Sequence, residues 1–137
     1  MIARSHSILL DAEALSALAE DDRRMLPWAT VAHRTDSILH ASTATLAEVT
    51  DGSARDANIR RAARAVRLID VTAGIGYRAG QLRATAVRVR RKRRDLTVDA
   101  IVAATALTLP APVVVLTSDP EDLRLLLAGT RIAVAAV

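Results

Sequence analysis

The feature that most constrains the fold is the unbroken apolar run Val-Val-Val-Leu at residues 113–116, which follows two prolines, Pro110 and Pro112. A short apolar run next to turn residues is typical of a strand that is buried on both faces. Parallel sheets provide that environment, because helices cover both of their faces. The run therefore predicts an α/β protein with a central parallel sheet.

The rest of the chain alternates between short strands and helices, which predicts a three-layer α/β/α fold in one domain over residues 1–137. The predicted strands are 7–10, 37–41, 66–71, 113–117 and 132–137. The predicted helices are 12–20, 22–34, 43–49, 55–65, 73–90, 98–107 and 121–127. We expect Ser42 or Thr43, Thr72 and Thr97 to cap helices, and Pro27 to disturb the middle of the second one. Helix 98–107 should be almost wholly buried.

Composition excludes several classes of site. The chain has no Cys, which excludes disulfides, thiolate chemistry and Cys-based zinc sites. It has no Phe, and the isolated Trp28 and Tyr77 are expected in the core rather than in a base-stacking platform. His6, His33 and His40 have no metal-site spacing and are expected at the surface or at strand ends.

The N-terminal sequence lacks a signal-peptide cleavage pattern. No apolar stretch approaches the roughly 20 residues that span a membrane. We therefore expect a soluble, cytoplasmic protein.

The positive charge is concentrated in one segment. Residues 87–94 hold six of the 19 Lys and Arg residues, against 15 Asp and Glu in the chain. Such a cluster attracts polyanions, because each neutralised phosphate releases condensed counterions. A solvated helix or loop face explains the run equally well.

Four acidic residues fall where predicted strands end or helices begin. Asp11 directly follows the first strand, and Asp119 comes two residues after the strand 113–117. Asp99 lies in the first turn of its helix, and Glu48 one turn into a helix whose apolar residues predict that it is largely buried. In parallel sheets these positions share the crevice beyond the carboxyl ends of the strands.

A structural role explains three of these acids singly, because Asp11, Asp99 and Asp119 could each cap a helix or favour its dipole. Glu48 is too far into its helix for that. Together the four carboxylates would repel one another, and a bound divalent cation would relieve that repulsion. Mg²⁺ and Mn²⁺ prefer oxygen ligands, and such ions activate water for attack on phosphodiesters. The set predicts a metal site.

Four segments resemble the PIN domain, and specifically the VapC-type toxins of bacterial toxin–antitoxin pairs. They are Ile-Leu-Leu-Asp-Ala at 8–12, Thr-Leu-Ala-Glu-Val at 45–49, the helix 98–107 and Val-Leu-Thr-Ser-Asp-Pro-Glu-Asp-Leu at 115–123. The order and spacing match the family along essentially the whole chain. The resemblance implies a Mg²⁺- or Mn²⁺-dependent endoribonuclease, usually a homodimer, that a small antitoxin holds inactive.

The resemblance also implies roles for individual residues. The metal-binding acids would be Asp11, Glu48, Asp99 and Asp119, and Thr117 would assist them by hydrogen bonding. Asp122 could hold a metal-bound water but fits a structural role better, and Glu13, where the family more often has a small residue, is expected to face solvent. The arginines expected to steer RNA toward the acids are Arg88, Arg90, Arg91, Arg93 and Arg94.

Two alternatives to a nuclease are a phosphoacceptor receiver domain and a catalytically silent binding module. A phosphoacceptor receiver domain needs a Lys at a later strand end, and the only Lys, Lys92, lies in the arginine run. A catalytically silent module that binds nucleic acid or a partner protein, with acids retained for folding, stays open as the alternative.

Overall fold

A five-stranded parallel sheet forms the centre of the protein in a computed structural model that describes residues 6–89 and 95–137. Its strands are β1 (Ser7–Leu10), β2 (Ile38–Ser42), β3 (Arg67–Ile69), β4 (Val113–Thr117) and β5 (Ala133–Ala136). They are ordered β3-β2-β1-β4-β5, and every neighbouring pair is parallel. The central strands β1 and β4 are buried along their whole length, as the apolar run predicts.

Helices cover both faces of this sheet. They are α1 (Ala12–Ala19), α2 (Leu26–Thr35), α3 (Thr43–Val49), α4 (Asp56–Arg64), α5 (Ala73–Val89), α6 (Thr97–Ala106) and α7 (Pro120–Leu126). Alternate side chains of β1 separate two cores, with Leu9 among residues of α5, α6 and α7, and Ile8 and Leu10 among residues of α1 and α4. The three-layer α/β/α prediction is confirmed. That residues 1–137 form a single domain stays a prediction.

Several helix starts are as predicted. The Ser42 hydroxyl accepts from the backbone N–H of Ala44 at 3.1 Å, and the Thr72 hydroxyl accepts from that of Ile75 at 3.2 Å. Both contacts satisfy donors that the first helical turn leaves unpaired.

Two other helix starts differ from the prediction. Residues Arg23–Met25 form a separate 3₁₀ turn, and Pro27 lies in the first turn of α2 rather than in its middle. That position suits proline, because N–H groups of the first turn have no intrahelical acceptor. Thr97 is the first residue of α6 and not its cap. A different residue supplies the hydrogen bond there, as described below.

The parallel strands bring several chain positions to one edge of the sheet, called the carboxyl edge below. β1, β2 and β4 end there, and α1, α3 and α7 begin within three residues of those ends. α6 precedes β4 and runs back along the sheet to its start, so the first turn of α6 lies toward the same edge. The carboxyl edge is where ligands bind in open parallel sheets.

Candidate active site

Asp11 lies at the centre of the carboxyl edge, at the junction of β1 and α1. It is the N-cap residue of α1, and its Oδ1 accepts from the backbone N–H of Ala12 at 2.8 Å. Its residue is 8% exposed, so a largely desolvated carboxylate faces the edge. Asp11 was expected either to cap α1 or to belong to a metal site, and the structure shows the cap. The cap uses Oδ1, so Oδ2 can contact another strand.

Thr117 connects the ends of β1 and β4. Its buried hydroxyl donates to Asp11 Oδ2 at 3.0 Å and accepts from the backbone N–H of Asp119 at 3.0 Å. The structure therefore brings three of the predicted site residues together, through one hydroxyl that uses both its donor and an acceptor.

Asp119 follows β4 and is the N-cap residue of α7 by position. Its side chain makes no capping hydrogen bond to the backbone of α7. Pro120 occupies the first turn of that helix, a position that suits proline. Capping therefore does not account for this acid.

Asp99 lies in the first turn of α6 and is half-buried. The helix around it is buried as predicted, with Ala100 and Val102–Ala106 all inaccessible to solvent or nearly so. An acid at this position interacts favourably with the positive end of the helix dipole, and it is also compatible with metal binding at the carboxyl edge.

Glu48 differs from the prediction. It lies in α3, but its side chain and that of Ala47 are exposed, and Thr45 is the one buried residue of the helix. The expectation of a largely buried α3 was wrong, because Leu46 and Val49 pack only partly against the core. Glu48 is thus the solvent-facing member of the set.

The four acids do not form a compact cluster as they stand. Within residues 6–89 and 95–137, no group of three or more His, Cys, Asp or Glu side chains is close enough to hold a metal ion. The donor chemistry nevertheless fits a hard divalent cation, since all the candidate ligands are carboxylate oxygens.

Two further acids have clear positions. Asp122, in the first turn of α7, is 2% exposed. Glu13 is exposed, as expected, and its Oε1 pairs with Arg24 Nη2 at 3.1 Å. Glu13 therefore belongs to an ion pair on the outer side of α1.

The predicted RNA-contact segment is described only at its start. Arg88 is exposed near the end of α5. Arg90, Arg91, Arg93 and Arg94 lie outside the described residues, so the predicted arginine approach stays a prediction.

The aromatic and histidine predictions have mixed outcomes. Trp28 packs partly against the core, but Tyr77 is 79% exposed on α5, so its predicted core position was wrong. His40, expected at the surface or a strand end, is instead buried within β2. Burial and the nearby Arg67 charge lower the pKa of its imidazole.

The fold and this edge define a class of three-layer α/β proteins that carry acids beyond the strand ends. A family model described as "PIN domain" matches residues 8–125. The chain therefore belongs to the PIN-domain family. Proteins of this family generally use divalent metal ions. No curated protein matched the chain.

Solved structures with the same fold include chains of toxin–antitoxin complexes. A chain of VapBC2 from Rickettsia felis, bound to a promoter DNA fragment, aligns with a TM-score of 0.72 at 12% identity, covering 95% of this chain and 98% of that one. A chain of DNA-bound VapBC from Salmonella typhimurium aligns with a TM-score of 0.69 at 18% identity, covering 93% of this chain and 97% of that one. A chain of a toxin–antitoxin complex from Klebsiella pneumoniae aligns with a TM-score of 0.60 at 24% identity, covering 93% of this chain and 96% of that one.

A helix that crosses a bilayer must be long and apolar. None of the helices within residues 6–89 and 95–137 is long and apolar enough to cross a membrane.

Proposed function

We propose that this protein is a divalent-metal-dependent endoribonuclease and the toxin of a type II toxin–antitoxin pair, acting in the cytoplasm. The observation that carries the proposal is the Thr117 hydroxyl, which joins Asp11 to the backbone of Asp119 in a chain of the PIN-domain family. A buried threonine that orients an acid at the carboxyl edge of a parallel sheet fits a site where charge must be held in place.

In this proposal, Asp11, Glu48, Asp99 and Asp119 hold Mg²⁺ or Mn²⁺. The ion would supply an activated water and would offset negative charge on the phosphodiester. Asp11 would be the fixed ligand, because two hydrogen bonds orient its carboxylate. Glu48 would be the solvent-facing ligand, because its side chain is exposed on α3.

Thr117 would act on the ligands rather than on RNA. Its hydroxyl donates to Asp11 Oδ2 and so helps to fix the orientation of that carboxylate. Hydrogen bonds to metal-binding carboxylates typically orient the ligand and tune its affinity for the ion.

The partners in this proposal are an RNA substrate, a cognate antitoxin and a second copy of the chain. The structural neighbours are chains of toxin–antitoxin complexes, which supports an antitoxin partner. The arginines from Arg88 onward would steer RNA by neutralising phosphates without reading its sequence.

The test is cleavage of RNA by the purified chain, free of any partner, in Mg²⁺, in Mn²⁺ and in EDTA. We expect cleavage with either ion and none in EDTA. Asp99→Asn should lower the rate by more than about 100-fold, because even the outer partners of metal ligands are worth about 10–100-fold. Asp70→Asn, which changes an exposed acid outside the set, is the matched control and should cleave as the wild type does.

Two results would contradict the nuclease. One is equal cleavage in EDTA or in the Asp99→Asn protein, with folding confirmed by circular dichroism. The other is RNA binding without cleavage in either metal, which would favour the catalytically silent module.

A further inference from the structure

Three side chains hold the first turn of α6 against α5. The Arg83 guanidinium, on α5, donates from Nη1 to the Thr97 hydroxyl at 2.9 Å. That hydroxyl donates in turn to Asp95 Oδ1 at 2.6 Å, and the same oxygen accepts from the backbone N–H of Thr97 at 2.9 Å. Arg83, Thr97 and Asp95, called the α6 clamp below, therefore form one continuous chain from a cation through a hydroxyl to a carboxylate.

The clamp caps the N-terminus of α6. The N-cap residue of α6 is Leu96, whose apolar side chain cannot accept a hydrogen bond. Asp95 takes that role from one position earlier, and its bonds to Thr97 lower the pKa of its carboxyl, so the acceptor stays ionised at neutral pH. Hydrogen bonds with a charged group at one end are stronger than neutral ones.

The clamped turn is the one that carries Asp99, two residues after Thr97. The backbone N–H of Ala100, the next residue, donates to Leu96 O at 2.8 Å, so Asp99 lies within the first closed turn of α6. Loss of the clamp would let this turn fray and would move the Asp99 carboxylate. A displacement of about 1 Å at a reacting group can lower a rate by about 100-fold.

We propose that Arg83 and Thr97 are positioning residues for Asp99 and act on the reaction through the first turn of α6. This inference rests on the proposed nuclease function. It differs from an RNA-contact role for Arg83, which would change substrate binding and would not require the Thr97 hydroxyl.

The test is a double-mutant cycle of Arg83→Gln, Thr97→Val and the double variant, with kcat and KM measured on one RNA in Mn²⁺. We expect each single variant to lower kcat by about 10-fold with KM within about 2-fold of wild type. The double variant should be no slower than the worse single one, because both substitutions break the same chain of bonds. Thr97→Ser keeps the hydroxyl and should recover most of kcat.

Matched controls come from the same helix. Arg78→Gln removes an exposed cation of α5 whose guanidinium bonds to Gln81, and Thr85→Val removes a hydroxyl that bonds within α5. Both should leave kcat and KM unchanged. An increase in KM in Arg83→Gln with wild-type kcat in Thr97→Val would overturn the proposal in favour of RNA contact. Effects that multiply in the double variant would overturn it as well.

Amide hydrogen exchange at Ala100 tests the clamp without any catalysis. Exchange there should be at least about 10-fold faster in Arg83→Gln and Thr97→Val, and unchanged in the two controls. A wild-type protein that cleaves no RNA would refute the proposed function, while unchanged exchange at Ala100 would refute the clamp. The two failures are therefore distinguishable.

Discussion

Helices α5 and α6 pack against each other on the same face of the sheet but differ in what holds them. Six of the ten residues of α6 are buried, and its sequence is almost entirely small and aliphatic. Only three of the 17 residues of α5 are buried, namely Ile75, Ala79 and Ala86, and the helix contains three glycines. Burial therefore stabilises α6, whereas α5 depends more on its cap and on its contacts with α6.

The two helices also differ in the charged side chains that they carry. Asp99 extends from the largely buried α6, whose core residues fix the body of the helix, while the α6 clamp holds its first turn. The exposed α5, by contrast, presents Arg83 and Arg88 to solvent or to neighbouring polar groups. A buried helix thus carries the acid, and a solvent-facing helix carries cations.

The largest expected effect on stability comes from shortening the buried leucine just before α6. Leu96 is 1% exposed, and Leu96→Ala should lower the free energy of unfolding by about 2–5 kcal/mol, the range for leucine truncations in cores. Leu82→Ala, at a partly buried position of α5 in the same core, is the matched control and should cost less. Urea denaturation measures both. Equal losses of unfolding free energy in the two variants would contradict the view that burial stabilises α6 more than α5.

Acidification tests the packing between the sheet and these two helices. His40 pairs in register with Leu9, whose side chain belongs to the core under α5 and α6. Burial, and secondarily the Arg67 charge, lower the pKa of His40 from 6.5, so the unfolded chain binds the extra proton first. The His40 contribution to stability is therefore complete above about pH 6.5 and is lost as the pH falls through the folded-state pKa.

The measurement is the urea midpoint between pH 7.5 and pH 5. His40→Gln should flatten this pH dependence, and His33→Gln, at an exposed position, should leave it as in the wild type. A wild-type slope that persists in His40→Gln would show that other groups cause it.

The smallest effect concerns the glycines of α5. A Cβ at Gly76 or Gly80 would meet no atom within 4 Å, so alanine fits at both positions. Each Gly→Ala change should raise the free energy of unfolding by about 0.5–1 kcal/mol, because glycine loses more backbone entropy in a helix. Thermal denaturation checks the sign.

Gly129→Ala provides the control with the opposite sign. Gly129 has φ +78, a left-handed conformation in which alanine is strained, so this variant should be destabilised by about 1–2 kcal/mol. If Gly80→Ala lowered the free energy of unfolding, α5 would require glycine there for a reason other than a steric clash of the Cβ atom.

Much of this architecture could be predicted from hydrophobic patterns. The run 113–116 predicts β4, and the small aliphatic residues after Val98 predict α6, because both elements are buried on nearly every side. The positions of Asp11 and Asp119 follow from the strands that precede them. Their connection through Thr117 required only that β1 and β4 be neighbours in the sheet.

The remaining features depend on tertiary contacts that local patterns do not encode. Glu48 has apolar neighbours, but α3 is too short and too peripheral to bury them. His40 was expected at the surface or at a strand end, but it lies in the middle of β2, between β1 and β3, and is buried. The α6 clamp joins residues 14 positions apart, and only the pairing of α5 with α6 brings Arg83 to Thr97.

The hydrogen bond between Thr117 and Asp11 spans 106 positions of the chain. During synthesis, Asp11 emerges long before the strand that carries Thr117, and β1 has one of its two sheet neighbours missing until β4 follows. A nascent chain therefore holds Asp11 without the hydroxyl that orients it. The carboxyl edge can therefore assemble only after the strand that carries Thr117 has been made.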